Sequence, residues 1–265
     1  MQTNQVGASL TSTSIVQRHD GAIVLTGEAL IHTLIYTSAC TCRGGRSHIQ
    51  DSAKRKAQLL QNQLVGNASE LAIFSVLFGY GAGVFFDHKT SVLEKIRGST
   101  KGDGFSDIPG FNVDVKSSLL KSGMSLERAK QKLSASCSDA EFVKTNGYIY
   151  CIVEFPDINT DYLELGPMES DKLIEFNKLR QGNKNLTFDE VIKLVPDYYS
   201  EVKTIIVHPV GWCTGAEFGT FNPKKHNIKL SNSKHILLMC ELNPTNTFSP
   251  AQFRNQQPLL LSRRV

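Results

Sequence analysis

Apolar and polar residues follow two clear periods along the chain, and together these periods predict a mixed α/β protein. Apolar residues recur at helical spacing over 21–36 and over 51–78, and the second stretch ends at Gly79. Strict alternation over 111–117 and a continuous apolar run over 147–155 predict two strands. Further helices are predicted at 125–134, 170–179 and 187–194, and further strands at 203–210 and 235–242.

The order of these elements favours one domain. We assign the polar residues 1–20 to a flexible N-terminal tail, residues 21–245 to a single domain, and residues 246–265 to a C-terminal tail. Within the domain we expect an α/β fold, in which a mixed β-sheet core is flanked by helices and extra helices lie on the N-terminal side. Gly66 and Asn67 predict a kink or a break in the longest helix.

Composition and charge permit a nucleic-acid substrate without requiring one. The 265 residues are 40% hydrophobic and 20% charged, which is ordinary for a globular protein. The net charge of +4 is lower than many non-specific nucleic-acid binders carry. The six cysteines form no Cys-x-x-Cys pair, and the polar first twenty residues lack the pattern of a secretory signal. We therefore expect a reduced cytoplasmic protein that is neither secreted nor membrane-bound.

Two carboxylates and one amine are predicted to share a small site. In the strand over 111–117, Asp114 and Lys116 point to the same face, because side chains alternate along a strand. The turn signal Pro109–Gly110 predicts a hairpin, in which Asp107 ends the preceding strand beside Asp114. Two carboxylates this close repel each other, and a divalent cation relieves the repulsion. A small set of hard oxygen ligands suits Mg²⁺, for which we expect Mn²⁺ to substitute.

These residues resemble a motif of the PD-(D/E)XK nuclease superfamily, particularly in its phage and bacterial members. The family pattern GDGxxDI, then a short hairpin and DVKS, is matched by GDGFSDI at 102–108 and VDVKSS at 113–118. In the family a helix with an acidic residue precedes the hairpin, and GNASELA at 66–72 resembles it with Glu70 in the acidic place. Ser106 stands where the family pattern has Pro.

The resemblance implies a restriction-endonuclease-like fold and a Mg²⁺-dependent endonuclease that hydrolyses DNA phosphodiesters through a metal-bound water. It implies that Asp107, Asp114 and the backbone carbonyl of Val115 ligate the metal. Glu70 would bind metal through water or complete a second site, and Lys116 would position or activate the water. The resemblance implies the cytoplasm of a bacterial or phage-infected cell as the setting. A homodimer is a possibility that the sequence does not decide.

A nuclease that acts on RNA or on branched structures stays open beside the DNA endonuclease, and so do three further alternatives. Asp197, Glu201 and Lys203 repeat the acidic-x-Lys spacing, although too few residues separate the first two for a hairpin. Cys213 and His208 could serve as a thiol nucleophile and its base. The alternative function is a non-catalytic nucleic-acid-binding or assembly protein that retains the nuclease fold. DNA binding that survives EDTA without cleavage would distinguish it.

Overall fold

A five-stranded mixed sheet is the centre of the fold. The computed structural model describes residues 14–42, 53–86, 107–108, 110–132, 134–138, 147–157, 202–215, 217, 234–238 and 241–254. The strands of the sheet are β1 (Ile15–Gln17), β2 (Ile23–Leu25), β3 (Val113–Leu119), β5 (Gly147–Glu154) and β6 (Ile205–Thr214). They lie in the order β1-β2-β6-β5-β3, in which β3 and β5 are parallel and the other neighbours antiparallel. A separate two-stranded sheet pairs β4 (Ser134–Ser138) with β7 (Lys234–Leu238).

Helices α1 (Gly27–Cys42), α2 (Ala53–Val76) and α3 (Leu126–Lys132) accompany the sheet. The long predicted helix is confirmed as α2, which packs on α1 and lies across β3 more extensively than across the other strands. Of the predicted kink or break, the break is wrong, because α2 is continuous through Gly66 and Asn67. The side-chain amide of Asn67 instead donates a hydrogen bond to the Thr37 hydroxyl of α1 at 2.9 Å. None of the described helices has both the length and the apolar character needed to cross a membrane.

The main hydrophobic core lies between α2 and one face of the sheet. Alternate residues of β5 and β3 enter this core, and all of them are buried: Ile149, Cys151, Val153, Val113 and Val115. On the opposite face of β5, Ile152 is fully buried against Ala129 of α3 in a smaller cluster. Because both faces of β5 are covered, its sequence shows a continuous apolar run instead of an alternation.

The structure corrects the predicted boundaries at the N-terminal side. Residues 15–17, predicted to belong to the tail of residues 1–20, form β1 and pair with β2. The helix predicted over 21–36 is present from Gly27 as α1, but its predicted start is wrong, because Ile23–Leu25 form β2. Both strands are three residues long, too short to show a period in the sequence. β1 pairs with β2, and β2 pairs with distant β6.

Two further differences concern the C-terminal part of the chain. Residues 250–253, predicted to lie in the tail of residues 246–265, form a 3₁₀ turn that buries Phe253. The predicted strand near 235–242 is present as β7, but it pairs with β4 and not with the main sheet. The helices predicted at 170–179 and 187–194 lie outside the described residues.

Candidate functional site

Among the described strands, β3 lies at one edge of the main sheet, and it carries a carboxylate and an amine on one face. The predicted alternation is confirmed, since Val113 and Val115 are buried in the core while the side chains of Asp114 and Lys116 keep 14% and 22% exposure. The Lys116 ammonium donates a hydrogen bond to Asp114 Oδ2, with Nζ and Oδ2 2.7 Å apart. The two groups therefore form a partly buried ion pair at the sheet edge.

Asp107 reaches this ion pair from a bend. The hairpin prediction is wrong at residues 107–108, which lie in a bend and not at the end of a strand; the residues just before them lie outside the described part. The bend closes through a hydrogen bond from the Phe111 N–H to the Ile108 carbonyl at 3.1 Å. Gly110 has a φ of 80°, in the left-handed region that glycine adopts without strain. The turn signal was therefore correct, although the element around it was not.

Two hydrogen bonds hold the Asp107 carboxylate against β3. Its Oδ2 accepts a hydrogen bond from the backbone N–H of Val115 at 2.8 Å. A second hydrogen bond joins the side chains of Asp107 and Asp114. The predicted convergence of Asp107, Asp114 and Lys116 is therefore present in the structure.

The surroundings raise the pKa of Asp114 from its ordinary value of 3.8 to about 8. Burial is the largest cause, because it disfavours the charged form, and the hydrogen bond and negative charge of Asp107 act in the same direction. The charge and hydrogen bond of Lys116 oppose this shift. At neutral pH the two carboxylates therefore share a proton. A divalent cation could replace that proton, because its charge would offset the repulsion between the two ionised carboxylates.

The backbone of Val115 offers an oxygen on the same edge. The N–H and C=O of one strand residue point to the same side of the strand. Because the Val115 N–H points to Asp107, its carbonyl also faces the side of β3 that carries Asp107. This placement agrees with the predicted role of the carbonyl as a further metal ligand.

Glu70 lies on α2, the helix that packs across β3. The residue is half-buried, and its Oε2 atom is shielded from solvent. Within the described residues, no group of three or more His, Cys, Asp or Glu side chains is arranged to hold a metal ion. The structure therefore does not bring Glu70 into one ligand cluster with Asp107 and Asp114. A role through water stays a prediction.

Two tyrosines are neighbours of the site by strand register. In the parallel pair of β3 and β5, Asp114 lies opposite Tyr148 and Lys116 lies opposite Tyr150. Paired residues of adjacent strands share a face, and both tyrosines are fully buried. The sequence does not single them out, because the apolar run of β5 shows no alternation. Only the alignment of β3 with β5 identifies them as neighbours of the site.

The thiol–imidazole alternative is not assembled. Cys213 and His208 lie five residues apart on β6, which corresponds to roughly 16 Å along a strand. The His208 Nε2 atom is 3.1 Å from Glu154 Oε2, and Cys213 is buried.

Of the alternative site formed by Asp197, Glu201 and Lys203, the structure describes only the lysine. Lys203 is exposed, and its backbone N–H donates a hydrogen bond to Asp157. Asp197 and Glu201 lie outside the described residues.

Comparisons with known proteins identify no relative with which this site could be compared. No family model matches the chain, and searches among curated proteins and solved structures find no similar protein. The mixed sheet with flanking helices is the fold class expected from the sequence. The arrangement of the side chains at the edge of β3 is therefore the basis for a functional assignment.

Proposed function

We propose that this protein is a magnesium-dependent endonuclease with a restriction-endonuclease-like fold, which hydrolyses phosphodiester bonds in DNA. One observation carries the proposal: Asp107, Asp114 and Lys116 converge at the edge of the sheet, with 2.7 Å between Lys116 Nζ and Asp114 Oδ2. A structural protein gains little from two half-buried carboxylates in contact, because the repulsion between their charged forms opposes folding. Residues whose pKa is shifted this far by burial and by a like charge are concentrated at functional sites.

The donor set fits a hard divalent cation. Asp107 and Asp114 would hold the ion, and the Val115 carbonyl on the same edge would be a further ligand. Glu70, on the helix across β3, would act through an intervening water. When bound, Mg²⁺ would supply positive charge that offsets the charge of the scissile phosphate and lowers the pKa of water. Mn²⁺ has similar oxygen preferences and would support the same activity.

Lys116 is the group of this chain that would act on the reacting atoms. Its ammonium has three donors, of which one bonds Asp114 Oδ2. The carboxylate thus fixes the orientation of the ammonium, which would act on the attacking water or on a phosphate oxygen. The burial of Tyr148 and Tyr150 keeps solvent from the inner side of the pair, which strengthens this interaction.

Cleavage of supercoiled plasmid DNA tests the proposal. We expect the wild type to cut DNA with Mg²⁺ or Mn²⁺ and to stop in EDTA. Lys116→Ala should lower the rate by at least about 100-fold, the usual loss when a transition-state donor is removed. Lys203→Ala is the matched control, because this lysine is exposed and it is its backbone N–H that donates a hydrogen bond to Asp157. Cutting by Lys116→Ala at the wild-type rate would refute the assignment.

Metal binding separates the roles of the site residues. We expect Asp114→Ala to lose Mn²⁺ binding in calorimetry, whereas Lys116→Ala keeps it. If the wild type binds DNA in EDTA and cleaves no substrate with any divalent ion, the non-catalytic binding protein is the better description.

A further inference from the structure

A strap formed by residues 241–254 joins β6 to the start of β3. At its first end, Asn243 and Trp212 exchange backbone hydrogen bonds of 2.9 and 3.0 Å. At its other end, the Phe253 carbonyl accepts a hydrogen bond of 2.8 Å from the N–H of Asn112, one residue before β3 begins. The strap therefore ends beside the strand that carries the candidate site.

Phe253 anchors the strap in the hydrophobic core. Its ring is 5% exposed, stacks on Phe248 with centroids 5.4 Å apart, and meets Trp212 edge-on at 5.8 Å. The ring also lies directly against Gly147 of β5. A β-carbon at that position would be 2.5 Å from the Phe253 ring, which is closer than real contacts allow. The absence of a side chain at Gly147 therefore makes room for Phe253.

The strap also contacts the bend that delivers Asp107. Phe111, at the end of the bend, forms an isolated backbone bridge with Arg254 of the strap. The same residue closes the bend onto Ile108, and both side chains are buried. The downstream end of the bend thus depends on the strap for its position.

We propose that Phe253 is a positioning residue for Asp107. By fixing the start of β3 and the bend before it, the Phe253 ring keeps the Asp107 carboxylate within hydrogen-bonding distance of Val115 and Asp114. The geometric part of this proposal is independent of activity, whereas its consequence for metal binding rests on the proposed function.

Hydrogen exchange of the Val115 amide tests the geometric part without any metal. This N–H is bonded to Asp107 Oδ2, so its exchange rate reports whether the carboxylate is in place. In Phe253→Ala we expect Val115 exchange to accelerate at least about tenfold more than exchange of Ile149 in the central strand β5, because only the end of the sheet loosens. Phe85→Ala is the matched control: Phe85 is equally buried in the same core, where its ring packs on Phe74.

The control variant should change the Val115 and Ile149 amides alike, within about twofold of each other, because its effect is global. Unchanged Val115 protection in Phe253→Ala, or the same selective loss in Phe85→Ala, would overturn the proposal. If Phe253→Ala does not fold, Phe253→Leu replaces it. That smaller change should accelerate Val115 selectively by about threefold, since it removes only part of the ring contact.

Mn²⁺ affinity connects the strap to the proposed function. We expect Phe253→Ala to bind Mn²⁺ at least about tenfold more weakly than the wild type, and Phe253→Leu to recover most of the affinity. Phe85→Ala should bind as the wild type does at temperatures where it is folded. If the wild type binds no Mn²⁺ while the Val115 effect is present, the nuclease assignment fails and the positioning role stands. If exchange of the Val115 amide accelerates selectively while the Mn²⁺ affinity is unchanged, the link to metal binding is refuted.

Discussion

Replacing Asp114 by Asn should stabilise the metal-free protein at neutral pH, although it removes a residue that the proposed activity needs. The folded-state pKa of Asp114, about 8, lies above its ordinary value of 3.8, so folding favours the protonated form. The stability that this proton contributes is therefore complete below pH 3.8, and it is lost progressively as the pH rises from 3.8 to about 8. Asparagine resembles the protonated acid in shape and has no charge to bury.

The size of the effect follows from the pKa shift. For each pH unit between the two pKa values, the free energy of unfolding of the wild type falls by about 1.4 kcal/mol. Between pH 3.8 and pH 7 the free energy of unfolding of the wild type therefore falls by about 4 kcal/mol. In Asp114→Asn this contribution does not change with pH. The variant and the wild type should therefore be similarly stable near pH 4 and diverge steadily above it.

Urea unfolding in EDTA at pH values between 4 and 8 measures this difference. Asp20→Asn is the control, because Asp20 is about half exposed in a surface ion pair with Arg18 and should change stability by less than about 1 kcal/mol at any of these pH values. A difference between Asp114→Asn and the wild type that stays constant with pH would refute the reasoning. A variant less stable than the wild type at pH 7 would also refute it.

Three further predictions follow from the site and its supports. Mn²⁺ affinity, measured by calorimetry, should rise about tenfold per pH unit from pH 5 to 7, because the ion displaces a shared proton; a constant affinity would contradict this. Glu70→Gln should weaken Mn²⁺ binding less than Asp107→Asn does, because the structure does not group Glu70 with direct ligands; the opposite order in the same titration would contradict its role through water. In thermal unfolding, Gly147→Ala should cost about 1–3 kcal/mol through its clash with Phe253, whereas Gly66→Ala in an open helical position should stabilise by up to about 1 kcal/mol; equal effects would contradict the packing argument.

The parts of the fold that were predictable have a signal within a short stretch of sequence. Helix α2 is long with an apolar second half, β5 is a continuous apolar run, and β3 alternates. The existence of these elements and the side-chain faces of β3 therefore follow from local periodicity. Asp114 and Lys116 share a face for the same reason. Asp107 was also predictable, because the turn signal beside it brings the chain back to β3.

The parts that were not predictable depend on pairing between distant residues. Strands β1 and β2 are stabilised through β6, which lies far along the chain. Phe253 sits among polar residues, and its burial depends on the space that Gly147 leaves on another strand. The bend at Asp107 was not predictable, because a turn signal does not show whether the residue beside it belongs to a strand or to a bend. The side chain of Asp107 contacts β3 through its hydrogen bonds with the Val115 N–H and with Asp114.

The Thr214-x-x-Glu217 capping pattern is a signal that sequence reasoning missed. Glu217 accepts hydrogen bonds from the N–H and the hydroxyl of Thr214, and its own N–H donates to that hydroxyl. These contacts hold the pKa of Glu217 below its usual range, with the Thr214 backbone bond as the main cause. The glutamate also accepts a bond from Asn243 of the strap, so the motif joins the end of β6 to that segment.

A crystal structure of the protein soaked in Mn²⁺ would test the central claim most directly. Anomalous scattering should show one ion within about 2.0–2.6 Å of a carboxylate oxygen from both Asp107 and Asp114, in place of the proton that they share. If the ion is bound elsewhere, or if the two carboxylates stay hydrogen-bonded to each other at saturating Mn²⁺, the site at the edge of β3 is not a metal centre.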